Sequence, residues 1–311
     1  MHARYLISAA LLSASLAAAT APAALAASAN PQAATSANWS GYVAQSKSGD
    51  GFSSVSGSWV EPSTKCSKGQ GHASFWIGLG GAGQASQSLE QVGTATDCKA
   101  GGSTHHYAWY ELVPAAPVQL NLAISPGDHL TGKVSVEGTT VTVSLTDATT
   151  QQSATKTMQM NNPDVSSAEW IAEAPSSCDQ MGNCQPLTLG NFGTVRFSNA
   201  AATSDGHTGT ISDALWTTQP VALDGSTGGF VSDQASGSAQ PSDLSTNGSA
   251  FSVSYVGSAA GSTSAVSGGS GPSTGYSLSG GSGPSTGDGP SGVALACVPT
   301  SEGWVCGFVP A

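Results

Sequence analysis

Residues 133–147 read "KVSVEGTTVTVSLTD". Val134 and Val136 point one way and Ser135 and Glu137 the other, the two-residue period of a half-buried strand. Glu137-Gly138 marks a hairpin turn, after which Val141, Val143 and Leu145 resume the apolar face. Similar stretches recur between Gly, Pro and Asn breaks: "NWSGYVAQ", "FSSVSGSWVEP", "ASFWIGLGG", "HYAWYELVP", "VQLNLAISPGD" and "TVRFSNA". Helical periodicity is scarce. Many short strands with frequent turns predict an all-β fold, a sandwich or a barrel, with enough chain for two large sheets.

Charge is sparse and one-sided. Eight Lys+Arg stand against nineteen Asp+Glu, and only 9% of the 311 residues are charged. No basic face exists to neutralise phosphates, which excludes a nucleic-acid binder. The pI near 4.6 suits an acidic milieu, where carboxylate repulsion fades on protonation. Solubility of an extracellular protein explains the same balance. With so few Lys and Arg, few buried ion pairs are expected.

The first 26 residues have a short basic start at Arg4, an apolar stretch and "ALAA", the layout of a secretory signal peptide cleaved after Ala26. A transmembrane anchor is the competing explanation, but the stretch is rich in Ala and Ser and only weakly apolar. Residues 27–37 suit a short pro-segment or an unstructured N-terminus. In an oxidising compartment the six cysteines suggest disulfides. "CDQMGNC" closes a loop between Cys178 and Cys184, "CVPTSEGWVC" closes another between Cys297 and Cys306, and Cys66 and Cys98 are left to each other; spacing does not fix this connectivity. After residue 256 the chain turns to Gly, Ser, Thr and Pro, with "SGGSGPSTG" at Ser267 and again at Ser279. Such a segment buries too little to fold, so 257–292 reads as a linker or long loop. Residues 293–311 are apolar again and hold two cysteines; they read as a last strand or hairpin returning to the main domain, 38–256.

No strand-to-helix G-x-S-x-G elbow and no H-E-x-x-H presents itself. His105 and His106 are neighbours before "YAWYE", so on a strand they face opposite ways and cannot share one metal. A cysteine nucleophile conflicts with a full set of disulfides. Carboxyl groups remain. "SSAEWIAEAPSS" holds Glu169 and Glu173, four apart and on one face whether strand or helix. Glu169 reads as a solvated or hydrogen-bonded strand residue, while Glu173 lies at a strand end, a usual place for a reactive group. "LEQVGTATDC" sets Glu90 beside Gln91, so only one of them can enter a given face. Trp39, Trp59, Trp76, Trp109, Tyr110 and Trp170 lie in strand-like stretches. Each fills a core by default, and on a concave sheet the same residues would bind a peptide or a sugar chain.

"ANWSGYV", "SFWIGLGG", "LEQVG", "YAWYELVP" and "AEWIAEAPSS" occur in an order and spacing that resembles the eqolisins, the scytalidoglutamic and aspergilloglutamic peptidase family. The resemblance runs from about Asn38 to about Tyr255. It implies an antiparallel β-sandwich of two large sheets with the cleft on one curved sheet. It implies an acid-active endopeptidase with no metal; with the signal peptide and the charge balance, the expectation is a secreted protein, monomer by default, acting on proteins or peptides with no cofactor, nucleic acid or membrane partner. The family's Gln–Glu dyad falls on Gln91 and Glu173. Its cleft tryptophans fall on Trp39 and Trp76, and an acid that supports the site falls on Glu111. Two departures stand out. Better-known fungal members carry an Asp where this chain has Gly80, and another where it has Tyr107. The rival function is a non-catalytic β-sandwich that binds carbohydrate, or an inactive peptidase homologue.

Overall fold

The computed structural model describes residues 33–66, 71–82, 86, 88–178, 184–224 and 237–257, with the backbone of 293–300 and 303–310. The expected signal peptide and linker lie outside the described residues. Every regular element among the described residues is a strand. The first group is β1 (Ala34–Ser36), β2 (Trp39–Ser46), β3 (Ser54–Val60), β4 (His72–Gly80), β5 (Leu89–Cys98), β6 (Thr104–Val113) and β7 (Val118–Ala123). Next come β8 (His129–Glu137), β9 (Thr140–Asp147), β10 (Gln152–Gln159), β11 (Ser167–Glu173), β12 (Ser176–Cys178) and β13 (Cys184–Pro186). The last are β14 (Thr194–Ser204), β15 (His207–Thr210), β16 (Trp216–Leu223), β17 (Ala239–Pro241), β18 (Phe251–Tyr255), β19 (Val293–Thr300) and β20 (Gly303–Pro310).

The hairpin read from Lys133–Asp147 is β8 and β9, with Gly138 at φ +59° in its turn. Val134, Val141, Val143 and Leu145 are fully buried. Pairing runs β10-β9-β8-β3-β14-β18-β17-β16-β2-β11-β4-β5-β6-β7, all antiparallel, and β1 adds to β16 in parallel. The expected two large sheets are thus two layers of one curved ladder. The three-residue β17 carries the pairing across from β18 to β16. The ladder folds over so that β8 packs on β4 and β5, and its end strands β7 and β10 approach one another, nearly a barrel.

Burial follows the two-residue period. Phe75, Ile77 and Leu79 of β4, Val92 of β5 and Ala168 and Trp170 of β11 point between the layers with Trp59 and Phe197. Gly57 is required there, because a Cβ on it would sit 2.9 Å from the Trp170 indole. Asn199, at φ +51°, absorbs a bulge in β14 between Ser198 and Ala201, and Ala200 and Ala202 are buried beyond it.

One buried polar network ties the layers together. Glu61, just past β3, meets His106 Nδ1 at 2.7 Å, and its other oxygen accepts from Thr94 Oγ1 at 2.6 Å. Thr94 Oγ1 also accepts from Trp59 Nε1 at 3.1 Å. The scarcity of Lys and Arg predicts few buried ion pairs, and the buried partner of Glu61 here is a histidine.

Cys66 and Cys98 are disulfide-bonded with Cα atoms 5.5 Å apart. Closing 32 residues of chain contributes roughly 3–4 kcal/mol in chain-entropy terms. Strand register places Cys178 opposite Cys184 and Cys297 opposite Cys306. The side chains of those four lie outside the described residues. The β19–β20 hairpin joins β12 through Ser176 and Cys306, in a second sheet ordered β13-β12-β20-β19.

Candidate active site

The reverse face of β2, β11, β4, β5 and β6 gathers Trp39, Trp76, Gln91, Glu111 and Glu173, the residues the resemblance singles out. Strict alternation sends Trp39, Trp76, Trp109 and Ile171 to this face, where they form a second apolar cluster with Leu89 and Val113. Trp59 and Trp170 go inward, their indole N–H groups bound to Thr94 Oγ1 and the Ser56 carbonyl. The tryptophans are thus divided between core and cleft face by strand parity. Trp39 and Trp76 meet edge to face at 5.0 Å.

Glu173 ends β11 on this face, opposite Trp39 of β2 and Ser74 of β4. It is 7% exposed. Asn38 Nδ2 donates to one carboxyl oxygen at 2.9 Å, and Trp76 Nε1 donates to the other at 2.6 Å. Burial pushes its pKa up, to about 8, while donors from Trp76, Trp39 and Asn38 pull it down. Asn38 was not singled out from the sequence, although it stands in the quoted "NWSG". Nothing in one sequence marks it as a partner for a residue 135 positions away.

Gln91 lies on the same face of β5, with β4 between it and β11. Its Nε2 donates to Glu111 Oε2 at 2.7 Å across the β5–β6 pair. Its Oε1 is buried and has no protein partner among the described residues. Glu111 is buried, and its pKa is raised by desolvation first and by the charge of Glu173 second. Gln91, Glu111 and Glu173 therefore form one electrostatic group on an aromatic floor.

A sequence model of the Peptidase A4 family matches residues 37–241, about two thirds of the chain. The chain belongs to the Peptidase A4 family. Aspergillopepsin-2 of Aspergillus niger is 33% identical over 217 residues, which cover 61% of this chain and 72% of that protein. A crystal structure of scytalido-glutamic peptidase with a transition state analog inhibitor superposes with a TM-score of 0.56 at 24% identity, covering 71% of this chain and 98% of that one. SCP-B, an eqolisin solved with the tripeptide Ala-Ile-His, gives 0.54 at 23% with the same coverage. These two structures establish the shared all-β architecture. Membership makes the chain a glutamic-type peptidase, a hydrolase of peptide bonds.

In this A4 peptidase Glu90 turns away from the cleft face. It points between the layers, fully buried, and accepts the Asp164 backbone N–H at 3.2 Å. Solvent and the opposite layer were the two destinations open to it; the layer is the outcome. Glu169 departs from expectation. It is fully buried rather than solvated; neither carboxyl oxygen has a partner at hydrogen-bonding distance among the described residues, and the Ser167 hydroxyl is the polar group that offsets its burial. Burial raises the pKa of both, Glu90 to about 8. His105 and His106 do split between faces; His106 joins the inner network and His105 the cleft face.

The two departures from the fungal pattern have structural counterparts. Gly80 has φ +82°, and a Cβ on it would lie 2.6 Å from the Cβ of Asp164. A carboxyl residue from the segment before β11 thus occupies the space where a side chain at 80 would begin. Asp164 bonds the Ser86 hydroxyl there. The Tyr107 phenol is raised in pKa by burial first and by the neighbouring Asp97 carboxylate second.

Proposed function

We propose that this peptidase is an acid-active endopeptidase working outside the cell, with Gln91 and Glu173 as its dyad. The supporting observation is the pairing of opposites on one face. Glu173 has both oxygens fixed by neutral donors, and Gln91 has a buried Oε1 with no protein partner. A buried acceptor left open in a cleft is where water binds.

Glu173 takes a proton from that water as its oxygen attacks the scissile carbonyl carbon. The tetrahedral intermediate then collapses, the C–N bond breaks, and Glu173 returns the proton to the leaving nitrogen. Gln91 Oε1 orients the water through its second hydrogen. One Nε2 hydrogen is committed to Glu111, and the other is free for the developing oxyanion. Burial favours neutral Glu111, which holds the amide without placing a negative charge beside that oxyanion. Trp76, fully buried, holds the Glu173 carboxyl from beneath, and Trp39 packs against its edge beside the dyad. The inhibitor-bound scytalido-glutamic peptidase and the tripeptide-bound SCP-B support a peptide ligand for this fold.

A free glutamate near 4.3 as base would centre activity at roughly pH 2–5. The raised Glu173 moves the preferred range to the weakly acid side, because its ionised fraction grows with pH. The test is cleavage of denatured casein from pH 2 to 8, with pepstatin and with EDTA. Activity on the acid side that resists both agents is expected. Glu90→Gln should cleave like wild type, since Glu90 faces the other layer. Loss with EDTA would sink the metal-free dyad, and a dead but folded Glu90→Gln would misplace it.

A further inference from the structure

Beyond Glu173 the cleft face carries a row that the proposed chemistry does not use. His72, Asp97 and His105 stand directly opposite one another on β4, β5 and β6. They are the next same-face positions after the row of Glu173, Ser74, Ala95 and Tyr107. His72 Nδ1 lies 2.8 Å from Asp97 Oδ1, with side chains 30% and 34% exposed. Tyr107, in the neighbouring row, feels the charge of Asp97, and His105 stacks on Tyr107 at 5.2 Å. Among the described residues His72 Nε2 and both nitrogens of His105 make no hydrogen bond, so their donors are available.

This end of the face is cross-linked. The Cys66–Cys98 disulfide fastens it, and Cys98 N donates to the Gly71 carbonyl at 2.9 Å. Two of the chain's few lysines stand beside it. Lys65 and Lys99 adjoin the two bridged cysteines, in a chain with only eight Lys+Arg against nineteen Asp+Glu. The opposite end of the same strands holds Glu90, Asp164 and Glu169. Histidines become cations in acid, and one Asp97 cancels at most one of two.

Granting the peptidase reading above, we propose that His72 and His105 form a subsite for a carboxylate of the bound peptide, either an acidic side chain or the C-terminal carboxylate. The titratable groups around it are Asp97, the neutral phenol of Tyr107 and Glu173 on the cleft face, with Lys65 and Lys99 beside the disulfide. Because the imidazoles are partly exposed, the preference is modest, about three- to fivefold in kcat/KM and expressed mainly through KM. It fades below about pH 4, where the substrate carboxyl takes up its proton.

The test uses the full chain at pH 5 and matched peptides around one cleavable bond. One series places Glu or Gln at successive positions; the other compares a free C-terminus with its amide. The first series detects an acidic side chain and the second the terminal carboxylate. The charged-to-neutral ratio should exceed one in one series and fall to about one in H72Q/H105Q. Asp97→Asn should raise it, because the competing anion is gone while the hydrogen-bonding shape is kept; a purely structural role for Asp97 would not. A wild-type ratio of one in both series overturns the subsite and leaves the peptidase standing, as does a ratio unmoved by H72Q/H105Q. If no peptide is cut at all, the peptidase reading fails and the subsite falls with it.

Discussion

Glu173→Gln is expected to lower kcat/KM by about 10²–10⁴-fold, the usual span for loss of a general acid–base group, and to leave the protein folded. The substitution keeps the shape of the side chain. Trp76 Nε1 and Asn38 Nδ2 now donate to both oxygens of the carboxyl. A glutamine can satisfy one of these donors and meets the other with an NH2 group, so some local rearrangement follows. What it cannot do at any pH is carry the proton from water to nitrogen. Loss of kcat with KM little changed is the signature to look for, because in the proposed mechanism the carboxyl acts on the transition state and not on peptide binding. Circular dichroism and a melting curve separate a dead enzyme from an unfolded one.

The second large effect is on stability. Glu90, Glu111 and Glu169 are buried, and burial raises the pKa of each above the ordinary glutamate range. A carboxyl that is harder to ionise in the folded state than in the unfolded one contributes its full stability below the unfolded value, near 4.3. That contribution drains away as pH rises through the folded value. For Glu90, raised to about 8, the loss between pH 4.5 and 8 is on the order of 3–5 kcal/mol. Melting temperature should therefore be highest near pH 4 and fall steeply toward neutrality. Glu90→Gln mimics the protonated form, and its amide oxygen can still accept the Asp164 N–H. It should melt higher than wild type at pH 7 and change little at pH 4. A flat profile for wild type, or a variant that tracks wild type throughout, would contradict this account. On the proposed mechanism, acid activity would have two sources: a base that needs pH to rise and a fold that needs it to stay low.

Strand parity made much of this legible in the sequence. The alternation in Lys133–Asp147 gives β8, its turn and β9 directly, and the same period separates Glu90 from Gln91. It could not show where Glu90 goes, because an inward-facing glutamate looks like an outward-facing one in a single strand. Nor could it show that Glu169 is sealed from water, which depends on residues brought from other strands. The polar β10 (Gln152–Gln159) escaped notice, since its burial pattern is mostly exposed and leaves little apolar alternation. The one-ladder topology was hidden for a similar reason: the bridging β17 is three residues long. Asn38 and the His72–Asp97–His105 row are partnerships across strands, set by register that adjacent residues do not encode.

The dyad itself is tested most directly by a double-mutant cycle. kcat/KM is measured for wild type, Gln91→Ala, Glu173→Gln and the double variant on one peptide at pH 5. Removing the Gln91 donor alone should cost about 10²–10³-fold. If both residues act on one water, the double variant is no worse than Glu173→Gln by more than a few fold, since the second loss finds no reaction left to impair. Two losses that multiply in full, or a single variant that keeps wild-type activity, would show that Gln91 and Glu173 do not work as a pair.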